Sequence, residues 1–243
     1  MNIVIPNNIE EKIHEAVSFF WATRVGQIRK QSASEIHDTG NRGAVTGGKQ
    51  LDGFVGLTKT LLLQNGVPER AIFTDAELEL PGYFRPNKKW DLLVVDRGRL
   101  LAAIEFKSQV GPSFGNNFNN RTEEAMGSAL DLWTAYREGV FGAYPAPFVG
   151  YFMVLEDSEK SRAPVSARCT HFPIRPEFCG ASYRERYALF CEKLLLERQY
   201  TAACFLTTSA DGAFACPREA LSYEAFFASM LGHILGQGST YVR

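Results

Sequence analysis

Two apolar runs joined by one short polar turn limit what this chain can fold into more than any other feature. Leu92-Leu93-Val94-Val95 and Leu100-Leu101-Ala102-Ala103-Ile104 flank Asp96-Arg97-Gly98-Arg99. Short apolar runs bounded by turn residues read as strands, and a central glycine lets the pair fold into an antiparallel hairpin about Arg97-Gly98. Successive side chains of a strand point to opposite faces, so Leu92 and Val94 face one way and Leu93 and Val95 the other. Both sets are apolar, so both faces of the hairpin must be covered. The expectation is an α/β fold with a mixed central β-sheet flanked by helices.

Three charges stand at the ends of these runs: Asp91, Glu105 and Lys107. Glu105 and Lys107 are two apart and share a strand face, with Phe106 on the other. The hairpin brings Asp91 opposite Ile104 or Glu105, within one residue of register. The competing reading is a surface hairpin carrying an ordinary Glu–Lys pair. Charges on a covered strand, however, cost on the order of several kcal/mol unless paired or bound to metal. Two carboxylates and an ammonium at one sheet end suit hydrolysis of a phosphodiester. Asp91 and Glu105, with the backbone carbonyl of Phe106, supply the hard oxygen ligands that Mg²⁺ takes. Lys107 then orients the attacking water and offsets phosphate charge.

The rest of the chain reads as one domain of 243 residues. A helical elaboration occupies about residues 1–70, a core about 71–210, and a last helix about 222–236. Helices are expected over residues 9–30, 51–64, 122–138 and 183–197, the first opened by a capping box at Asn8 and Glu11 and the third by one at Asn120 and Glu123. Further strands are expected over residues 76–80, 147–155 and 200–207, with loops at 31–50 and 111–121. Phe20, Trp21, Leu130 and Trp133 read as core positions. No apolar run approaches the ~18 residues of a membrane span, and no secretory signal is evident, so the expected location is the cytoplasm. Five cysteines (Cys169, Cys179, Cys191, Cys204 and Cys216), without a CxxC pair, read as reduced thiols rather than a zinc site. The four histidines show no ligand spacing.

A net charge of −1 does not advertise nucleic-acid binding. Locally the balance differs, because Arg85, Lys88, Lys89, Arg97 and Arg99 border the hairpin. Gly43 to Lys49 has the GxxxxGK spacing, but Gln50 follows where a phosphate loop needs Ser or Thr, and no apolar strand precedes it. No nucleotide cofactor is expected. A glycine loop carrying Arg42, Lys49 and Gln50 toward a polyanion is the better reading. Beyond Lys107, Gly111-Pro112-Ser113-Phe114-Gly115-Asn116-Asn117-Phe118-Asn119-Asn120-Arg121 offers side chains that can read base edges. Alternatively, its asparagines form a turn that bonds its own backbone. Its place after the charged strand favours DNA contact by Asn116, Asn117, Asn119, Asn120 and Arg121, with Lys88 and Lys89 on phosphate.

Trp90-Asp91 followed by Glu105-Phe106-Lys107 resembles the PD-(D/E)xK nuclease core, with Trp90 in place of the usual proline. The run GPSFGNNFNNRTEEA and the segments Phe20-Trp21, Gly47-Gly48, Asp52-Gly53-Phe54, Leu80-Pro81-Gly82-Tyr83 and His171-Phe172-Pro173 are similar to the XhoI family of Type II restriction endonucleases. That resemblance implies a restriction-endonuclease-like core and a homodimer cutting double-stranded DNA at CTCGAG after the first C. Four-base 5′ overhangs and 5′-phosphates would result. It also implies Mg²⁺ dependence, a cognate DNA methyltransferase, Asp91 and Glu105 as metal ligands, and Lys107 as catalytic lysine. The family pattern has Arg and Asn after the paired glycines, where this chain has Lys49 and Gln50. The alternatives are a structure-specific nuclease of the same core and a DNA-binding protein without catalysis.

Overall fold

The computed structural model describes residues 3–33 and 49–238. Its centre is a six-stranded mixed sheet, of order β1-β4-β5-β6-β7-β8. β1 (Ile72–Phe73), β4 (Leu92–Asp96) and β5 (Arg99–Gln109) pair antiparallel. β5, β6 (Phe148–Glu156) and β7 (Ala202–Thr208) run parallel, and β8 (Phe214–Ala215) returns antiparallel on β7. A separate ribbon joins β2 (Glu79–Pro81) to β3 (Asn87–Lys89).

Helices cover both faces, as the doubly apolar strands require. α1 (Ile9–Ala33), α2 (Asp52–Gln64) and α6 (Tyr223–Gly238) lie on the face that buries Leu92, Val94, Ile104, Phe106 and Phe152. α3 (Phe114–Arg137) and α5 (Tyr183–Leu196) cover the face that buries Leu93, Ala103, Tyr151 and Phe205. One more turn of helix, α4 (Glu159–Arg162), follows β6. Ser182 and Glu185 form the capping box that opens α5. Trp21 Nε1 donates to Thr208 Oγ1 at 3.2 Å, tying α1 to the end of β7. Among the described residues no helix is long and apolar enough to cross a membrane. All five cysteines are free, two of them exposed.

Several expectations are corrected. Of the loop expected at 111–121 only residues 111–113 remain, because α3 begins at Phe114 and Asn120 and Glu123 lie within it. Asparagine disfavours helix interiors, but Phe114 stacks on Tyr183 at 5.7 Å and Phe118 packs edge-on against Tyr187 at 5.0 Å. That aromatic contact outweighs the local propensity. The strand expected at 76–80 is displaced to Glu79–Pro81, since Glu77 adopts φ 58° and turns the chain first. Of the loop expected at 31–50, residues 31–33 continue α1 and Lys49–Leu51 form a 3-10 turn, while 34–48 lie outside the described residues. Leu130 is 49% exposed rather than in the core.

Candidate active site

The hairpin turn is set by Arg97 and Gly98, with φ of 52° and 76° between the paired Asp96 and Arg99. Two central residues with positive φ make the tight turn that matches strand twist. Counting regularly from this turn puts Asp91 opposite Ile104. The register shifts between Val94 and Val95, however, and Leu92 pairs with Ile104. Leu101 is therefore the extra residue of a bulge, and Leu101 and Ala102 both face the α1–α2–α6 core. The consequence falls at the site. Past the Leu92–Ile104 pair the regular ladder ends, and the Asp91 amide donates to the Ile104 carbonyl at 3.2 Å, which sets the Asp91 side chain beside Phe106.

Asp91 Oδ2 accepts from the Phe106 amide at 2.8 Å. The amide and carbonyl of a strand residue point to the same edge, so the Phe106 carbonyl faces the Asp91 side as well. Glu105 is 2% exposed. Its Oε1 lies 2.8 Å from Lys107 Nζ and 3.1 Å from Lys88 Nζ. Its Oε2 is buried and has no hydrogen-bond partner among the described residues. Burial pushes the Glu105 carboxyl up, but the Lys107 and Lys88 ammoniums outweigh it and hold the group below its usual range. Burial lifts Asp91 above its usual value, and the Lys107 charge and Phe106 amide offset this only in part. Burial alone would lower Lys107, yet Glu105 and Asp91 hold its proton more tightly than usual.

This donor set fits a hard divalent cation. An unpartnered buried carboxylate oxygen, a second carboxylate anchored on the next residue's amide and a carbonyl on the same edge are oxygen ligands of the kind magnesium takes while keeping waters. Among the described residues no cluster of three or more His, Cys, Asp or Glu with metal-binding geometry exists. Two protein carboxylates match magnesium better than an all-protein cage.

The structure thus gathers Asp91, Glu105, Lys107 and the Phe106 backbone at one place. It also brings in Lys88, expected on phosphate, as a direct partner of Glu105. That contact depends on the β2–β3 ribbon, whose strands are too short to read from periodicity. The ribbon's turn is held by Asp131 of α3, whose carboxylate accepts from the amides of Tyr83 and Phe84 and from Arg85. Lys89 is exposed on the same strand. Asn116, Asn119 and Asn120 are exposed and Asn117 half-buried on the first turns of α3. Arg121, one turn further, pairs with Glu124 at 2.6 Å and lies within electrostatic reach of Lys107.

Gln50, expected on a flexible loop, is 4% exposed and donates to Ser108 Oγ of β5 at 2.6 Å. It braces the strand next to Lys107 and does not reach outward. Lys49 is exposed, and Arg42 lies outside the described residues. Sequence reading passed over Asp52, at the start of α2. Burial raises its carboxyl, and Asp91 adds to that rise, which places a third carboxylate within electrostatic reach of Asp91.

With this geometry in place, the comparisons with known proteins are specific. The family model for restriction endonuclease XhoI matches residues 30–216. A protein of Geobacillus stearothermophilus, Type II restriction enzyme BstVI, is 50% identical over 216 residues, covering 85% of this chain and 96% of that protein. Type II restriction enzyme XhoI of Xanthomonas vasicola is 46% identical over 183 residues, 74% of this chain and 73% of its own. Type II restriction enzyme AbrI of Azospirillum brasilense is 52% identical over 164 residues, 67% and 73% of the two chains. No solved structure matches.

Proposed function

The chain belongs to the XhoI family of restriction endonucleases and is a Type II restriction enzyme, and from that premise we propose that it cuts double-stranded DNA at CTCGAG after the first C in a Mg²⁺-dependent reaction. The products would carry four-base 5′ overhangs and 5′-phosphates. The observation that carries the chemistry is the buried Oε2 of Glu105, unpartnered among the described residues, with Asp91 anchored on the adjoining Phe106 amide and Lys107 two residues on.

Asp91, Glu105 and the Phe106 carbonyl would hold the metal, which when bound neutralises phosphate charge and acidifies a coordinated water. The protein does the positioning. The Phe106 amide fixes the Asp91 carboxylate, and Glu105 Oε1 fixes the Lys107 ammonium. From there Lys107 Nζ donates hydrogen bonds to the attacking water and to a non-bridging phosphate oxygen. Asn116, Asn117, Asn119, Asn120 and Arg121 form the adjoining surface of α3, from which bases are read, with Lys49, Lys89 and Arg42 as phosphate contacts. A palindromic site is matched by a homodimer with twofold symmetry. A cognate methyltransferase protects the host's own sites, and both enzymes work in the cytoplasm.

Plasmid DNA digested with Mg²⁺ should give discrete fragments and none in EDTA, and sequencing the ends should read TCGA overhangs. A smear counts against site specificity, and no cutting at all removes the catalytic reading. Glu105→Ala and Lys107→Ala should each lower cleavage by at least ~100-fold while binding in a gel shift survives. Full activity in either variant removes that residue from the mechanism.

A further inference from the structure

Resting on the metal-dependent reading of this site, we propose that Lys88 is a built-in counter-ion that occupies the cation position on Glu105 in the DNA-free protein. Metal binding and DNA binding are then coupled through its displacement.

Glu105 Oε1 already has an ammonium from its own strand, since Lys107 Nζ lies 2.8 Å away. The second one comes from a different element. Lys88 reaches across from β3, with its side chain 12% exposed, and places Nζ 3.1 Å from the same oxygen. Its ammonium is also held 4.4 Å from the Trp90 ring centroid and donates to the Lys89 carbonyl at 3.0 Å. An ammonium lodged this way sits on the carboxylate whose other oxygen, Oε2, a metal would use, and within electrostatic reach of Asp91.

Charge balance separates the two states. Asp91 and Glu105 carry two negative charges, and Lys88 and Lys107 two positive ones, so the centre is neutral before any ion enters. A divalent cation added beside both lysines leaves an excess of two positive charges in a largely buried site, which is strongly unfavourable. When Lys88 withdraws and one phosphodiester arrives with one divalent cation, the charges balance again. The arrangement therefore favours metal and DNA together over metal alone. Lys88 sits on a ribbon outside the six-stranded sheet, and its flexible stem can carry the ammonium off Glu105 without moving the backbone.

The test measures Mn²⁺ binding to the full-length DNA-free protein, from the free-ion signal in electron paramagnetic resonance. Wild type is expected to bind weakly, Lys88→Met at least ~10-fold more tightly, and Lys88→Arg as weakly as wild type. Asp91→Asn, alone and with Lys88→Met, should lose the site. Lys88→Gln serves in parallel should Lys88→Met fold poorly by circular dichroism. Equal affinity in wild type and both neutral variants, with binding still lost in Asp91→Asn, overturns the role of Lys88 alone. Undiminished binding in Asp91→Asn shows that the ion sits elsewhere and overturns the metal reading with it.

Discussion

Asp131 accepts hydrogen bonds from the amides of Tyr83 and Phe84 and from Arg85 Nε, at 2.7, 2.8 and 2.7 Å. The carboxylate is nearly buried, and a methyl group on Gly82 would meet it at 2.5 Å, so acid and glycine fit only together. Removing its charge leaves two loop amides and a guanidinium poorly matched, and Asp131→Asn should destabilise the fold by about 2–4 kcal/mol. Burial raises this carboxyl, but the Phe84 amide, Arg85 and the Tyr83 amide more than compensate and hold it below its ordinary range. A carboxylate depressed in the folded state contributes stability above its unfolded pKa and loses that contribution as pH falls. Urea titrations should therefore show the gap between wild type and Asp131→Asn in full at neutral pH and shrinking below about pH 4. At this scale the sequence revealed Asp91, Glu105 and Lys107, because charges at the ends of covered strands stand out. Lys88 and Asp131 were not legible in these roles, since their partners lie 17 and 46 to 48 residues away.

Among the elements, β4, β5, β6 and β7 follow from apolar runs bounded by turns, and their boundaries differ from expectation by a residue or two. The start of α3 does not, because its cause is remote: Tyr183 and Tyr187 of α5 supply the rings on which Phe114 and Phe118 pack. The bulge at Leu101 is equally hidden, as nothing in Leu-Leu-Ala-Ala marks which residue is extra. Yet it sets the register in which the hairpin delivers Asp91 to the site. Gly150, in the middle of β6, marks a close approach between the sheet and α6. A Cβ there would lie 2.7 Å from the Phe148 ring and 2.9 Å from that of Phe226. Both rings are fully buried and have nowhere to retreat. Gly150→Ala is expected to cost about 1–3 kcal/mol in denaturant unfolding, with the Trp-based signal of the native state otherwise retained.

For the whole molecule, helices on both faces of the sheet leave the site at the junction of the antiparallel β4–β5 pair and the parallel β5–β6 pair. The ladder ends in strands of two residues on each side, β1 and β8. Each stub covers only two residues of its neighbour, so residues 202–206 of β7 have no partner strand on that side among the described residues. The proposed homodimer would then be built from helix and loop surfaces rather than on these stubs. Sedimentation velocity should report a two-copy species, and Ala215→Lys on β8 should leave it intact; loss of the dimer in that variant would show that the sheet edge takes part. The same stubs set a limit on growth. Two residues give an incoming strand too little backbone to grip, so neither β1 nor β8 is itself a place where further copies could add strand on strand.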